Sequence, residues 1–242
     1  YKIRGAYNLI QSLTEEQRSR GVVCASAGNH AQGVAFSCKL LNIKGVIYMP
    51  AITPKQKINQ VRMFGGNNIE IVLIGDTFDE CQAHAIEYTQ EKNCVFIPPF
   101  DHPKVMEGQG TVGKEILDEQ SNIDYVFVPI GGGGLCAGLG SYFQTYSPQT
   151  KIIGVEPQGA PSMKEALKAG KPVVLDSIQR FVDGASVKKV GDLTFSICKD
   201  ILADMLLVPE GKVSSTILQL YNEDAIVAEP AGALAIAVLD QY

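Results

Sequence analysis

The chain has 242 residues, 45% hydrophobic and 19% charged, with a formal net charge of −5. This is the composition of an ordinary globular protein, long enough for one large domain or two modest ones. It holds no run of about 18 apolar residues, which argues against a membrane-spanning helix, and its mild acidity argues against a nucleic-acid partner.

In chain order, the opening "YKIRGAYNLIQSL" carries apolar residues at helical spacing (Ile3, Ala6, Tyr7, Ile10, Leu13) and lacks the build of a secretory signal. From there short apolar runs alternate with longer amphipathic ones. Strands are predicted at 21–26, 44–50, 69–75, 94–99, 125–130, 151–157 and 204–210. The segments between read as helices: "NHAQGVAFSCKLL", "TPKQKINQVRMFG", "TFDECQAHAIEYTQEK", "KVMEGQGTVGKEILDEQ", "GLGSYFQTY", "SMKEALKAG", "LTFSICKDIL" and "KVSSTILQLYNE". Continuously apolar strands joined by crossover helices predict an α/β fold with parallel sheets covered on both faces. Pro and charge in "FDHPK" (100–104) mark an expected boundary. The predicted organisation is a smaller domain at 21–103 and a larger one made of 1–20 and 104–242. Neither "YKIRGA" nor the closing "AGALAIAVLDQY" shows a helix cap or stop, so the chain reads as a middle piece of a longer protein.

Six cysteines (Cys24, Cys38, Cys81, Cys94, Cys136, Cys198) are scattered without a CxxC pair, mostly among aliphatic residues. They read as small buried hydrophobes in a reducing, cytoplasmic setting; their spacing matches no zinc pattern.

Three stretches stand out. The first is Gly131–Gly134, directly after a strand and directly before a helix. Successive residues without Cβ can turn their N–H groups inward as an anion nest, and the dipole of the following helix adds partial positive charge. A nucleoside-triphosphate loop would continue with Lys-Ser or Lys-Thr; here Leu135 and Cys136 follow. A dinucleotide fingerprint fits loosely, through Gly132, Gly134 and Ala137, with Glu156 about 20 residues later as a ribose ligand. The second stretch is "ASAGNHAQG" (25–33), which places Ser26 to His30 at a helix N-terminus, either as a carboxylate site or as an ordinary cap. The third is Lys2 beside Arg4, where a neighbouring cation favours loss of the ammonium proton and a Schiff-base role.

Taken in order and spacing, "YKIRGA", "SAGNHAQG" and "GGGGL" resemble the pyridoxal-phosphate enzymes of the tryptophan synthase β family (fold type II), and within it the threonine dehydratase (threonine deaminase) branch. The likeness continues through "TPKQKINQVRMFG", "FIPPFDHPKVMEGQGT", "GVEP", "FVDGASVKKVGD" and "VAEPAGALA", and so covers essentially the whole chain. The resemblance implies two open parallel-sheet α/β domains with a cofactor cleft between them, and pyridoxal 5'-phosphate as cofactor. Lys2 would carry it and act as catalytic base. Asn29 would bond the ring hydroxyl, and Gly131, Gly132, Gly133, Gly134 and Leu135 would take the phosphate. Ser26, Ala27, Gly28 and His30 would line the substrate-carboxylate pocket, and the Asp183–Ala185 loop would close over the ring.

The implied activity converts L-threonine to 2-oxobutanoate and ammonia, with L-serine as a side substrate, as the first step of isoleucine biosynthesis; the stretch from Leu206 to Ala235 resembles the bacterial biosynthetic form. Serine racemase is the alternative of the same fold, but it carries Ser where this chain has Ala27. Some relatives bind a divalent cation through a Glu in a "GxEP" segment and an Asp six residues on. Here Ser162 follows Glu156 at that distance, so no such metal site is expected. The usual hydroxyl partner of the pyridine nitrogen would lie beyond Tyr242. A homotetramer or homodimer is expected from the family, without nucleic-acid or membrane partners.

Overall fold

The computed structural model describes residues 1–242 and is built from parallel strands and crossover helices. In chain order the elements are α1 (Lys2–Ser12), α2 (Glu15–Arg20), β1 (Val22–Ala25), α3 (Asn29–Leu41), β2 (Gly45–Met49), α4 (Lys55–Gly65), β3 (Ile69–Leu73), α5 (Phe78–Lys92), β4 (Val95–Phe96) and α6 (Pro103–Glu119). There follow β5 (Tyr125–Pro129), α7 (Gly134–Tyr146), β6 (Lys151–Pro157), α8 (Ser162–Ala169), α9 (Asp192–Ile201), β7 (Leu202–Val208), α10 (Glu210–Asp224) and α11 (Pro230–Ala237). The strands form a four-stranded sheet in the order β3-β2-β1-β4 and a three-stranded sheet in the order β5-β6-β7. Every pairing is parallel.

Alternation within the central strands shows why they read as unbroken apolar runs. In β1, Val22 and Cys24 join a core with α1, α3 and α4, whereas Val23 and Ala25 face Cys81 and Ala85 of α5. Both faces of the strand are covered, so neither set of positions can be polar. In the other sheet, Val155 and Val208 pack with Val213, Leu220, Ala233 and Leu234 of α10 and α11.

Four details depart from the sequence reading. The opening segment contains a second helix, α2, because Thr14 and Gln17 form a reciprocal capping box. Strand β4 stops at Phe96, before Pro98 and Pro99, which cannot donate to a ladder. Strand β7 begins two residues early, at Leu202, with a register irregularity opposite Ile152 and Ile153. Residues 1–20 were expected with the larger domain. Compactness instead divides the chain into Tyr1–Pro99 with Pro103–Gln109, and Phe100–His102 with Gly110–Tyr242.

The first unit holds α1 through unusually close helix crossings. A Cβ at Gly33 of α3 would lie 3.0 Å from the Ile3 backbone and 3.2 Å from the Lys2 carbonyl carbon. A Cβ at Gly108 of α6 would lie 2.5 Å from the Arg4 carbonyl oxygen and 2.6 Å from the Gly5 Cα. These neighbours are backbone atoms and cannot swing aside. Gly108→Ala is therefore expected to lower stability by about 1–3 kcal/mol through overpacking, read as a reduced urea midpoint at constant m. Gly211→Ala, where an added Cβ meets nothing within 4 Å, is expected to raise that midpoint by the equivalent of about 0.4–1 kcal/mol.

Candidate active site

Lys2 occupies the first position of α1, and its Nζ donates to the Pro99 carbonyl at 2.9 Å. Burial lowers its pKa from 10.5 to about 8, because removing an ammonium from water penalises the charged form. The Gly33 crossing brings the start of α3 beside this amine.

That start has no side-chain cap. Its N-cap is Gly28, at φ −121° and ψ −146°. Gln32 N–H is the first to close back on the helix, onto the Gly28 carbonyl at 3.2 Å, so the first-turn N–H groups, those of His30 and Ala31 among them, have no intrahelical acceptor. Ser26 is not the ordinary cap of this helix: its Oγ accepts from Gly28 N–H at 3.2 Å, in the turn ahead of it. The face of Gly28 where a Cβ would project is open for 4 Å.

The His30 ring is buried, and its Nε2–H donates to the Ile97 carbonyl at 2.9 Å. A carbonyl can only accept, which fixes that tautomer. Burial, and secondarily the Lys2 charge, lower the His30 pKa to about 3. The ring is thus neutral, and its donor is committed. The carbonyls of Ile97 and Pro99, just past β4, hold His30 and Lys2 respectively.

The glycine run lies in the second unit, between β5 and α7. Gly133 is the N-cap of α7, left-handed at φ +92°, a conformation costly for any residue with a Cβ. The side on which Cβ atoms would project is filled by protein. A Cβ on Gly131 would lie 3.0 Å from the Ala185 Cα, on Gly132 2.3 Å from the Phe100 ring, on Gly133 2.9 Å from the Thr194 Cβ, and on Gly134 2.8 Å from the Phe100 Cβ. The 183–185 loop therefore does reach the turn, through Ala185 at Gly131. Ala137 N–H closes back onto the Gly133 carbonyl at 2.8 Å, which leaves the earlier N–H groups of α7 without intrahelical acceptors.

The turn is also held by its carbonyls. Thr194 Oγ donates to the Gly132 carbonyl at 2.6 Å, and Cys198 Sγ donates to the Gly133 carbonyl at 3.7 Å. Helix α9, which carries both, is capped by Asp101, whose carboxylate accepts from the N–H groups of Asp192, Leu193 and Thr194 at 3.0 Å each. The sequence reading missed Phe100, Asp101, Thr194 and Cys198, because no local motif links residues 100–101 to a helix ninety positions later.

Glu156 is committed elsewhere. Its buried carboxylate accepts from Met163 N–H at 2.6 Å, Lys164 N–H at 3.0 Å and Ser162 Oγ at 3.3 Å, at the start of α8. Burial raises its pKa to about 7 against the pull of those donors. As the ribose ligand of a dinucleotide it would have to surrender these bonds.

Lys2 and Ser26 to His30 thus share the first unit; Gly131 to Leu135 and Asp183 to Ala185 belong to the second. The donors fit pyridoxal phosphate in chemistry: a buried amine of lowered pKa for its carbonyl carbon, and a turn of backbone N–H groups at the head of a 13-residue helix for its phosphate.

Comparison with known proteins agrees. The chain is 58% identical over 243 residues to L-threonine dehydratase biosynthetic IlvA of Halalkalibacterium halodurans, covering all of this chain and 59% of that protein. It is 56% identical over 247 residues to the Staphylococcus epidermidis protein of the same name, again over all of this chain and 58% of the relative. The chain thus spans somewhat over half the length of these relatives. Among solved structures, the processed form of threonine deaminase isoform 2 from Solanum lycopersicum superposes with a TM-score of 0.93 at 47% identity, over 98% of this chain and 68% of that one. Maize serine racemase gives a TM-score of 0.93 at 33% identity, over 99% and 72%. The family model described as "Pyridoxal-phosphate dependent enzyme" matches residues 1–242, and the chain belongs to that family.

Proposed function

We propose that the protein to which this chain belongs is an L-threonine ammonia-lyase, converting L-threonine to 2-oxobutanoate and ammonia, with L-serine as a slower substrate. The observation that carries this reading is the buried Lys2 amine of lowered pKa beside the uncapped start of α3, in a chain 56–58% identical to proteins named for that reaction.

Pyridoxal phosphate, when bound, supplies an electron sink that makes the α-proton of an amino acid removable. The protein's part is to hold and to move protons. Lys2 carries the cofactor at rest and takes the α-proton as a base. With a pKa of about 8 rather than 10.5, a far larger share of it is neutral near physiological pH than of an ordinary lysine, and a general base works best when its pKa lies near the working pH. Its bond to the Pro99 carbonyl fixes where that nitrogen begins its stroke. The first-turn N–H groups of α3 and the Ser26 hydroxyl bind the substrate carboxylate, and Asn29 bonds the ring hydroxyl. Gly28 keeps the approach clear of a side chain. His30 contributes its backbone N–H, since its ring donor is held by Ile97. Gly131 to Leu135 bind the phosphate through N–H groups, and Asp183 to Ala185 cover the ring.

Racemisation would require a second group able to return a proton to the other side of the α-carbon. Ala27, immediately before Gly28, has no proton to give, which favours elimination over the racemase alternative.

Three expected outcomes test this. Borohydride treatment of the cofactor-loaded full-length protein should fix the label on the peptide containing Lys2; recovery on Lys55 or Lys57 would refute the assignment. In the cofactor-free protein, labelling of that lysine should rise with pH around a midpoint near 8. Burial favours the reactive neutral amine, and the reactivity should fall away as pH drops below that value. On reaction choice, 2-oxobutanoate should appear from L-threonine faster than pyruvate from L-serine, with negligible D-serine by chiral chromatography. Comparable rates of D-serine and pyruvate formation would refute the lyase assignment.

A further inference from the structure

We propose that α9 is a positioning element for the phosphate-binding turn, with Thr194 as its principal residue, Cys198 as a weaker second and Asp101 as its anchor. The proposal rests on the reading that the glycine turn takes the cofactor phosphate, and it assigns to α9 the task of aiming the N–H groups that do so.

Peptide units are planar and trans, so each carbonyl and the N–H that follows it point in opposite directions. The Gly132 carbonyl is drawn onto α9 by the Thr194 hydroxyl at 2.6 Å, with Gly191 N–H at 3.4 Å as a longer second donor. The Gly133 N–H, in the same peptide unit, must therefore point away from α9. The next unit is held differently: its Gly133 carbonyl accepts from Ala137 N–H of α7 at 2.8 Å, and Cys198 Sγ adds only a longer contact at 3.7 Å. Thr194 and Cys198 are four residues apart and so lie one above the other on a single helical face. That spacing lets two side chains meet two successive carbonyls. A run of glycines has no side-chain preference of its own, and the left-handed Gly133 could reorient its neighbouring peptides at little cost. The Thr194 donor on the Gly132 carbonyl, with the Ala137 N–H and Cys198 on the next, removes that freedom.

The anchor sets the start of α9 apart from that of α7. The N-terminus of α9 is already satisfied by a carboxylate, because Asp101 accepts from three of its N–H groups, whereas the start of α7 has no side-chain cap. Phe100, the residue before Asp101, packs against Gly132 and Gly134. Adjacent residues thus brace the turn directly and hold the helix that orients it. Thr194 and Asp101 need not touch the phosphate; they act through Gly133.

The test compares two ligands in the full-length, cofactor-free protein. Affinities for pyridoxal phosphate and for pyridoxal, each measured by absorbance titration, give a ratio that isolates the phosphate contribution. Thr194→Val keeps the shape of the side chain and removes its donor; it is expected to lower that ratio about tenfold, with pyridoxal affinity unchanged. Thr194→Ser, which restores a hydroxyl, should recover most of the loss. If Thr194→Val weakens both ligands equally, its role is general packing and the proposal fails; an unchanged ratio overturns it as well. Should Thr194→Val not fold, Asp101→Asn, which keeps an acceptor but removes the charge at the start of α9, should lower the same ratio by less. An unchanged ratio there would likewise overturn the proposal. Equal binding of pyridoxal and pyridoxal phosphate by the unsubstituted protein would instead overturn the phosphate reading of the turn itself, before any variant of α9 is made.

Discussion

A helix that begins without a side-chain cap must find acceptors elsewhere for its first N–H groups, and that constraint organises this protein. The contrast within the chain is direct. Helices α2 and α5 carry full capping boxes at Thr14 and Thr77, and α9 borrows the Asp101 carboxylate. Helices α3 and α7 start at glycine N-caps with no side-chain bond. These two follow the motifs "SAGNHAQG" and "GGGGL". Donors without intrahelical acceptors at the head of a 13-residue helix suit an anionic group, and a pyridoxal-phosphate enzyme handles two anions: the substrate carboxylate and the cofactor phosphate.

The buried amine follows the same logic with the sign reversed. Lys2 has an ordinary pKa of 10.5 and a folded value of about 8, while His30 falls from 6.5 to about 3. Each is a base whose folded pKa lies below its unfolded one, so the unfolded chain binds more protons in the window between the two values. Stability rises with pH through both windows. At neutral pH the cost of burying Lys2 is fully present, whereas that of His30 is largely gone. The fold thus tolerates a destabilising buried ammonium at Lys2, and Ile97 and Pro99 soften the cost by offering carbonyls to His30 and Lys2. The close crossings at Gly33 and Gly108 hold α1, and therefore that amine, in place.

Most of the architecture was legible in the sequence, because a strand covered on both faces has nowhere to put a polar residue. "GVVC" and "GVIYM" were read as β1 and β2 for that reason, and the pattern of β1 divides between two cores as the rule requires. Positions where short-range chemistry competes with periodicity were harder to read. The Thr14 and Gln17 capping box signalled α2 in four residues that hydrophobic spacing passes over. Pro98 and Pro99 shortened β4. The grouping of the opening helix could not be read at all, because it is set by glycine-to-backbone approaches between separate helices, as of Gly33 to Ile3 and of Gly108 to Arg4, about a hundred residues away. Of the candidate site, the proposed motif residues stand out in the sequence. The residues that hold them, Asp101 and Thr194 above all, do not.

The four glycines have a fuller explanation than close approach to a ligand. Each points its missing Cβ at protein: Ala185, the Phe100 ring, Thr194, and the Phe100 backbone with its Cβ. The turn is therefore packed closely from behind, while the Gly132 carbonyl is drawn off toward α9. A loop of four glycines in isolation would lose more conformational entropy on ordering than any other sequence of that length, and a ligand asked to impose that order would bind weakly. Here the ordering is done by folding, through Phe100 and Thr194, before any anion arrives. An anion bound to N–H groups held in this way would spend little free energy on reorganisation. Flexibility of the sequence and rigidity of the site are thus compatible: glycine is what lets neighbouring side chains come close enough to fix the backbone.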